Sequence, residues 1–471
     1  MKGQMVNPYL PSWEYIPDGE PHVFDGRVYV YGSHDRFNGY VYCMNDYVCW
    51  SAPVEDLSDW RYEGVIYKKT DDPLNQDGEM CLYAPDVTRG PDGRYYLYYV
   101  LNGVDIVSVA VCDTPAGTYR FYGYVHDKEG GRPGERPGDQ AQFDPGVLTE
   151  NGKTYLYTGF CRPDDKSKSG PMVMVLDSDM LTVLEEPVFI APSAPYSAGS
   201  GFEGHEFFEA PSIRKKGDVY YFIYSSIVFH ELCYATSREP TKGFAFGGVI
   251  VSNNDLHIDT YKPAQRPMYY GGNNHGSIAQ IGEDWYIFYH RHTNGTNYSR
   301  QACMEKIRFG EDGSIMQAEM TSCCGAGALK GQGVYPAYLA CNLFCGVESM
   351  YTAGHGGWMD DRFPKITQDG RDGDKEDGYI ANMRSGATAG FKYFDCKGVR
   401  KIGVKVRGYG DGNLEVKTAW DGPVLGEIPV GYSNFWKRYE ADIQIPDGVC
   451  ALYFTYKGQG NISFGAFELE V

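Results

Sequence analysis

The sequence predicts an all-β protein in which a five-bladed β-propeller is followed by a jelly-roll-like β-sandwich. The chain has 471 residues with 40 tyrosines and 59 glycines, a composition typical of short strands joined by tight turns. Amphipathic stretches of helical period end within about two turns, which argues against long helices. Aromatic hairpins recur at near-equal spacing along the first two-thirds of the chain, and this repeat predicts the propeller.

The repeat consists of a glycine-containing turn followed by alternating aromatic and aliphatic residues. The turn glycines are separated by 67, 59, 65 and 65 residues, which is long enough for a four-stranded unit. Radially arranged four-stranded sheets form a propeller and protect their edges. The alternative is one or two sandwiches whose hairpins are similar by chance. The five turn glycines are Gly26, Gly93, Gly152, Gly217 and Gly282.

The domain boundaries follow from this repeat. We expect the propeller to occupy residues 1–322. The Gly/Ala-rich stretch that follows predicts a linker over residues 323–339. Short strands with Gly/Asp turns, such as "NLEVKTAW" and "ISFGAFELEV", predict a β-sandwich over residues 340–471.

The net charge limits the classes of partner, and the cysteines indicate the compartment. The net charge of −19 argues against nucleic acid or an anionic membrane surface, because both require basic patches. A small neutral oligosaccharide fits better, since aromatic rings stack on the apolar faces of sugars.

No run of 18 or more apolar residues predicts a membrane span. The N-terminus has no apolar segment typical of a signal peptide, and the thirteen scattered cysteines fit a reducing compartment. We therefore expect a cytoplasmic protein.

Three acidic residues share one position relative to the repeat. Asp18, Asp144 and Glu209 each lie eleven residues before a hairpin tyrosine. If the units are equivalent blades, the three carboxylates point into one central depression. The tyrosines are Tyr29, Tyr155 and Tyr220.

Two other acidic residues near these positions are interpreted as structural. Asp86 lies nine residues before Tyr95 and is out of step with the others, so we expect it to hold a loop by accepting backbone N–H bonds. Glu206 lies three residues before Glu209, and residues three apart in a strand face opposite sides. Of this pair, only Glu209 is expected to reach the depression.

Three carboxylates around a pit are typical of glycoside hydrolysis. That chemistry needs an acid to protonate the leaving oxygen and a base or nucleophile across the sugar. Nearby negative charges raise the pKa of a carboxyl group and so help to keep the acid protonated. The alternative is that each acidic residue caps a turn at the entrance to its blade.

Several motifs in this order resemble glycoside hydrolase family 43. They are "NPYL", "YIPDGEPHVF", "APDV", "FDPGVL", "FFEAPSI", "NNHGSI" and "SRQACMEKIRF". The resemblance implies a five-bladed propeller and an inverting mechanism. It also implies that Asp18 is the general base, that Asp144 tunes the acid, and that Glu209 is the general acid. The family usually has Asp-Pro at the base, whereas here Asp18 precedes Gly19, so Glu20 remains a rival base.

The resemblance implies further roles around the pocket. His275 is a candidate ligand of a structural calcium, or a hydrogen-bonded core histidine. Arg300 is a candidate substrate contact or support for the acid region, or else a surface ion pair. His34 and Phe37 are candidates for lining the glycone pocket. No cofactor is expected to be required, and a structural calcium is the one candidate metal.

The C-terminal region resembles a family 6 carbohydrate-binding module through "GFKYFDCKGVRKIGVKVRG", "GPVLGEIPV" and "ISFGAFELEV". Such modules bind sugar with an aromatic pair and an asparagine, for which Tyr379, Trp436 and Asn461 are the candidates. The alternatives are that all three are packing residues and that the domain braces the propeller or shapes the rim of the pocket.

We therefore expect an exo-acting, inverting enzyme that releases xylose, L-arabinofuranose or both from xylan-derived oligosaccharides. The alternative is a non-catalytic, sugar-binding propeller. A glycoside phosphorylase is disfavoured, because no Arg/Lys/His cluster lies where a phosphate would bind.

Overall fold

The computed structural model describes residues 3–346 and 363–471. Its first twenty strands form five four-stranded antiparallel sheets, the blades, each with its strands in chain order. Blade one contains β1 (Glu20–Phe24), β2 (Arg27–Tyr31), β3 (Tyr47–Pro53) and β4 (Arg61–Tyr67). Blade two contains β5 (Asp86–Arg89), β6 (Tyr95–Tyr99), β7 (Ser108–Cys112) and β8 (Arg120–Tyr124).

The remaining blades follow the same order. Blade three contains β9 (Gly146–Glu150), β10 (Lys153–Thr158), β11 (Met172–Leu176) and β12 (Val188–Phe189). Blade four contains β13 (Phe207–Lys216), β14 (Val219–Ser226), β15 (Glu231–Ser237) and β16 (Ala245–Ser252). Blade five contains β17 (Ile278–Ile281), β18 (Asp284–His292), β19 (Arg300–Phe309) and β20 (Ile315–Met316). The five-bladed propeller is thus confirmed.

The helical segments within the described ranges are three 3-10 turns, Lys69–Asp71, Ala194–Tyr196 and Ala337–Leu339. Among the described residues, no helix has the length and apolar character needed to cross a membrane.

The predicted turn glycines all lie in the hairpins that join the first and second strands of the blades, and all five have positive φ. In four blades the loop has two residues, as in the turn that pairs Phe24 with Arg27, and such loops favour glycine at positive φ. In blade two the loop has five residues, because Arg89 pairs with Tyr95. Asp86 lies only three residues before the end of β5, whereas Asp18 lies six residues before the end of β1, so the two positions are not equivalent.

The first strands of the blades surround the propeller axis and contact one another. Ser212 in β13 and Ser277 before β17 join blades four and five through their hydroxyl groups, 2.8 Å apart. A backbone bridge between Gly19 and Gly276 joins blades one and five. The ring of blades is therefore closed around a central depression.

The last twelve strands form the sandwich. They are β21 (Leu329–Lys330), β22 (Gly333–Pro336), β23 (Asn342–Cys345), β24 (Lys365–Thr367), β25 (Tyr379–Arg384), β26 (Ala387–Cys396), β27 (Lys401–Gly408), β28 (Asp411–Lys417), β29 (Gly426–Val430), β30 (Ser433–Asp442), β31 (Gly448–Gln459) and β32 (Asn461–Glu470). One six-stranded sheet has the order β21-β26-β31-β28-β29, with β23 paired to β26. The other has the order β24-β25-β32-β27-β30, with β22 paired to β32.

The prediction of a linker over residues 323–339 is wrong. Two strands of the sandwich, β21 and β22, lie within this stretch. Leu329, Tyr335 and Leu339 are buried there. The glycines indicated flexibility, but the apolar residues between them anchor this stretch to the sandwich.

The propeller and the sandwich share one hydrophobic core, which includes Ile250 and Ile278 of the propeller and Phe391 of the sandwich. Charged groups are also buried at this junction. Lys392 of the sandwich is fully buried, and its Nζ lies 3.0 Å from Asp255 Oδ2 of the propeller. Since burying a charge is costly unless it is paired, this contact requires the two domains to pack in a defined way.

Candidate active site

One position of the first strand carries a polar side chain in every blade. It lies six residues before the last residue of that strand in four blades, where it is Asp18, Tyr83, Asp144 and His275. In blade four it is Glu209, seven residues before the strand end, because β13 contains an irregularity between Glu209 and Ser212. All five side chains line a single cavity of about 480 Å³ on the propeller axis.

The walls of this cavity are largely aromatic. Tyr42, Phe143, Phe160, Phe208 and Phe229 line it together with the polar residues. Rings of this kind offer apolar faces for a sugar, while carboxylates and amides hold its hydroxyl groups. The cavity therefore has the chemistry expected of a monosaccharide pocket.

Backbone strain is concentrated at the acidic residues. Asp18, Asp144 and Ala210 have φ values of 59°, 47° and 64°. This left-handed conformation costs an L-residue roughly 1–2 kcal/mol, and such strain is often found at functional sites. The Ala210 N–H donates to the Asp144 carboxyl, so the strained backbone beside Glu209 also positions Asp144.

Asp18 is held by Arg300. Arg300 is buried, and its Nη1 donates to Asp18 Oδ1 at 3.0 Å. Its Nε and Nη2 donate to the two oxygens of Asp35, each at 2.9 Å. This fork on Asp35 fixes the guanidinium plane, which in turn fixes the direction of the Asp18 carboxyl.

His290 supports the backbone of Asp18 in its neutral form. Its Nε2 donates to the Asn273 carbonyl at 2.7 Å, which leaves Nδ1 to accept the Asp18 N–H at 3.4 Å. Burial and the nearby Arg300 lower the pKa of His290 well below its usual range. The 3.3 Å approach of Nδ1 to Asp18 Oδ1 is therefore not an ion pair.

Two of the carboxyl groups are shifted toward the protonated form. Burial, followed by the charge of Asp144, raises the pKa of Glu209 to about 8. Burial and the charge of Asp18 raise the pKa of Asp144 to about 7, although His275 opposes that shift. The two carboxyl groups form a coupled pair, and the raised pKa values favour a proton on this pair near neutral pH.

Glu20, the rival base, is held outside the cavity wall. Arg214 Nη2 donates to its Oε2 at 2.5 Å, and the Ser212 hydroxyl donates to the same oxygen at 3.0 Å. Glu20 is buried and does not line the cavity. The geometry thus favours Asp18 over Glu20 as the residue that can contact a water molecule in the cavity.

Asp86 has the contacts expected of a structural residue. It is fully buried, and its Oδ2 accepts the Val147 N–H at 2.8 Å. Its Oδ1 lies 2.6 Å from His22 Nε2. These bonds tie the first strands of blades one, two and three together.

Glu206 also has the contacts expected of a structural residue. Its two oxygens accept the Ser197 hydroxyl at 2.7 Å and the Gly204 N–H at 2.9 Å. It does not line the cavity, so the two glutamates of the "EFFE" segment point to different surroundings.

The residues around His275 do not fit a calcium site. Its Nε2 lies 3.9 Å from Glu20 Oε1 and its Nδ1 lies 3.6 Å from Asp144 Oδ2. Calcium takes roughly six to eight oxygen ligands, but Glu20 is already paired with Arg214. Burial lowers the pKa of His275, yet the facing carboxyl groups outweigh it and raise the pKa to about 9. The two carboxylates beside His275, Glu20 and Asp144, therefore supply fewer oxygen ligands than calcium takes.

His34 and Phe37 are outside the cavity wall, and their predicted role as lining residues is wrong. His34 Nδ1 bonds the Asp46 carbonyl at 2.8 Å, and its Nε2 lies 3.0 Å from Glu14 Oε1. Phe37 is buried and stacks on Tyr15 at a ring distance of 5.7 Å. Both residues follow the blade-one strand as expected, but the loop folds back and places their neighbours, Tyr42 and Cys43, in the wall instead.

In the sandwich, Tyr379 and Trp436 lie together, with ring centroids 5.3 Å apart in an edge-to-face arrangement. The Arg407 guanidinium covers both rings, at 4.8 and 4.4 Å. Asn461 lies apart from this pair, beside Asn382, with 3.5 Å between their side chains. The structure therefore brings together the aromatic pair but not the asparagine.

Sequence reasoning missed several residues of the cavity. Tyr83 could have been found by counting from the strand end rather than from the hairpin tyrosine. Asn273 and Asn297 lie in loops and carry no repeat signal. Asp35 was missed because its role depends on Arg300, which is remote in sequence.

Comparison with known proteins places the chain in a family. The model for glycosyl hydrolases family 43 matches residues 17–315. A xylosidase/arabinosidase of Thermoclostridium stercorarium is 72% identical over 470 residues, covering 100% of this chain and 99% of that protein.

Two solved structures share the fold. A family 43 arabinoxylan arabinofuranohydrolase of Bacillus subtilis, in complex with cellotetraose, is 20% identical with a TM-score of 0.52 and covers 99% of both chains. A family 43 β-xylosidase/α-arabinofuranosidase from a compost microbial metagenome, in a calcium-free form with xylotriose, is 26% identical with a TM-score of 0.52. That match covers 67% of this chain and 98% of that one. This chain belongs to family 43 of the glycosyl hydrolases and is a glycoside hydrolase.

Proposed function

We propose that the enzyme is exo-acting and inverting, and that it releases xylose, L-arabinofuranose or both from xylan-derived oligosaccharides. The pentose preference is supported by the xylosidase/arabinosidase of Thermoclostridium stercorarium, which spans the whole chain. The single cavity on the propeller axis supports removal of a terminal sugar. Because the chain is a glycoside hydrolase, the alternative of a non-catalytic propeller is set aside.

The observation that carries the proposal is the set of three carboxyl groups that line one cavity, Asp18, Asp144 and Glu209. Glu209, protonated near neutral pH, donates its proton to the glycosidic oxygen as the bond to the anomeric carbon breaks. Asp18, held by Arg300, accepts a proton from the water that attacks the opposite face. Asp144 raises the pKa of Glu209 and so favours its protonated form.

The stereochemical outcome tests this assignment. Inversion requires room for water between base and acid, roughly 6.5–9.5 Å between their carboxyl groups. Proton nuclear magnetic resonance of the xylose first released from nitrophenyl β-D-xyloside should show the α-anomer. A β-anomer as the first product would overturn the roles given to Asp18 and Glu209.

Substrate preference is tested with a matched pair of nitrophenyl glycosides. Hydrolysis of the β-D-xyloside and the α-L-arabinofuranoside is compared under identical conditions. Asp18→Asn, which lacks the proposed base and should be inactive whatever the leaving group, is the control for contaminating activity. Turnover of at least one of the two supports the pentose assignment, and turnover of neither contradicts it.

We also propose that the enzyme acts in the cytoplasm on small imported oligosaccharides. The support is that none of the cysteines in residues 3–346 and 363–471 forms a disulfide bond, as expected for a reducing compartment. Cell fractionation of the source organism would test this, and recovery of the activity outside the cell would contradict it.

For the sandwich, we propose weak carbohydrate contact through Tyr379 and Trp436, whose rings are partly exposed. Isothermal titration of Glu209→Gln with xylohexaose, with and without Trp436→Ala, would test a second binding site. Identical titrations of the two variants would contradict it.

A further inference from the structure

Two loops form one side of the cavity. The loop between β2 and β3, residues 32–46, carries Tyr42 and Cys43. The loop between β18 and β19, residues 293–299, carries Asn297. We refer to them as the first loop and the second loop.

The sandwich holds the first loop through Asp372. Its Oδ1 accepts the Phe37 N–H at 2.7 Å, and its Oδ2 accepts Asn45 Nδ2 at 3.0 Å. The same amide of Asn45 donates to the Asp35 carbonyl at 3.1 Å. One carboxylate of the sandwich therefore bonds both ends of the segment that contains Tyr42 and Cys43.

The sandwich holds the second loop through β24. The Asn294 N–H donates to the Ile366 carbonyl at 2.6 Å, and the Thr367 hydroxyl donates to Asn294 Oδ1 at 2.8 Å. Asn294 Nδ2 in turn donates to Asn38 Oδ1 of the first loop at 2.8 Å. The two asparagines both have left-handed backbones, with φ of 56° and 59°, a conformation that asparagine tolerates better than most residues.

These contacts lead directly to the reacting groups. The first loop supplies Asp35, which binds both Arg300 and the Cys43 N–H, the latter at 3.0 Å. Arg300 in turn holds Asp18. A shift of the first loop would therefore turn the guanidinium and move the carboxyl group that is proposed to act on water.

We propose that residues 366–372 of the sandwich are a positioning element of the active site, with Asp372 and Thr367 as positioning residues for Asp18, Tyr42 and Asn297. The proposal rests on the catalytic roles given above and extends them to a domain outside the matched family region, residues 17–315. The sandwich is thus part of the catalytic unit.

The test compares Asp372→Ala, Asp372→Asn and Thr367→Val with wild type in the full chain, using xylobiose and the nitrophenyl glycosides. The alanine variant loses both acceptors, whereas asparagine keeps an acceptor for the Phe37 N–H. We expect kcat/KM to fall about tenfold for Asp372→Ala and less for Asp372→Asn and Thr367→Val. Asp442→Ala, an exposed aspartate at the end of β30, is the matched control and should retain full activity.

Hydrogen exchange distinguishes positioning from general destabilisation. In Asp372→Ala, the backbone amides of residues 35–45 should exchange faster, while the melting temperature stays near that of wild type because Asp372 is exposed. Wild-type kcat/KM and unchanged exchange in both Asp372→Ala and Thr367→Val would overturn the proposal. Failure of the catalytic assignment is measured separately, since it would appear as retained activity of Glu209→Gln on xylobiose.

Discussion

Replacement of Glu209 by glutamine tests the assignment of the general acid most directly. The side chain is half-buried in the cavity wall, and burial and the charge of Asp144 raise its pKa to about 8, which favours the protonated form at neutral pH. Glutamine keeps the size and polarity of the side chain but cannot give up a proton. Loss of general acid catalysis typically costs 10²–10⁴ in rate, which is about 3–5.5 kcal/mol in transition-state stabilisation.

The assay separates proton donation from other roles by varying the leaving group. Xylobiose has a sugar hydroxyl as its leaving group and needs protonation, whereas nitrophenolate leaves readily without it. We expect kcat on xylobiose to fall by about 10²–10⁴ and kcat on the nitrophenyl glycoside to fall much less. Glu206→Gln, three residues away and bonded to Ser197 and Gly204, is the matched control and should lose less than about tenfold.

The pH dependence of the wild type gives a second measure of the same group. A general acid works only when protonated, so kcat/KM should fall as pH rises through about 8. The fall of kcat/KM at high pH reports an apparent pKa of the coupled Asp144–Glu209 pair rather than of one residue. Equal losses on both leaving groups, or a profile that is flat to pH 10, would refute the assignment of Glu209 as the acid.

Two further predictions concern the charges away from the cavity. Lys392→Met should lower the free energy of unfolding by about 3–5 kcal/mol in urea titrations, because it leaves the Asp255 carboxylate buried without its cation. The double variant with Asp255→Asn should recover part of this loss, and a single-variant loss below about 1 kcal/mol would contradict the interpretation. Treatment with a calcium chelator should leave kcat/KM within about twofold of its untreated value, because the residues around His275 supply fewer oxygen ligands than calcium takes. A strong loss that added calcium restores would show that a metal binds there after all.

The fold was predictable because its signal is repeated. Each hairpin places glycine at a turn and alternates aromatic with aliphatic residues, so five weak signals support one another. The stretch 323–339 was mispredicted because it has no such repetition. Its strands β21 and β22 have two and four residues, and only pairing with remote strands identifies them.

The catalytic candidates were accessible for the same reason, since equivalent blades place equivalent side chains around the axis. The loop residues were not accessible. His34 and Phe37 were chosen because they follow the first blade's hairpin, but the path of the loop is set by Asp372 and Asn294, which lie far away in sequence. Arg214 was missed because its pairing with Glu20 joins strands of two blades.

At the propeller axis, the groups that are placed for catalysis lower the stability of the folded protein. Asp144 and Glu209 are buried near one another, and each raised pKa reflects a carboxylate that the folded protein disfavours. Such groups stabilise the folded state fully below their unfolded pKa and lose that contribution as pH rises through the folded value. The strained backbones of Asp18, Asp144 and Ala210 add to the cost. The shared core and the loop contacts of the sandwich offset this cost and hold the strained side of the cavity in place. A propeller with such a site can therefore depend on a second domain for its geometry even if that domain never touches the substrate.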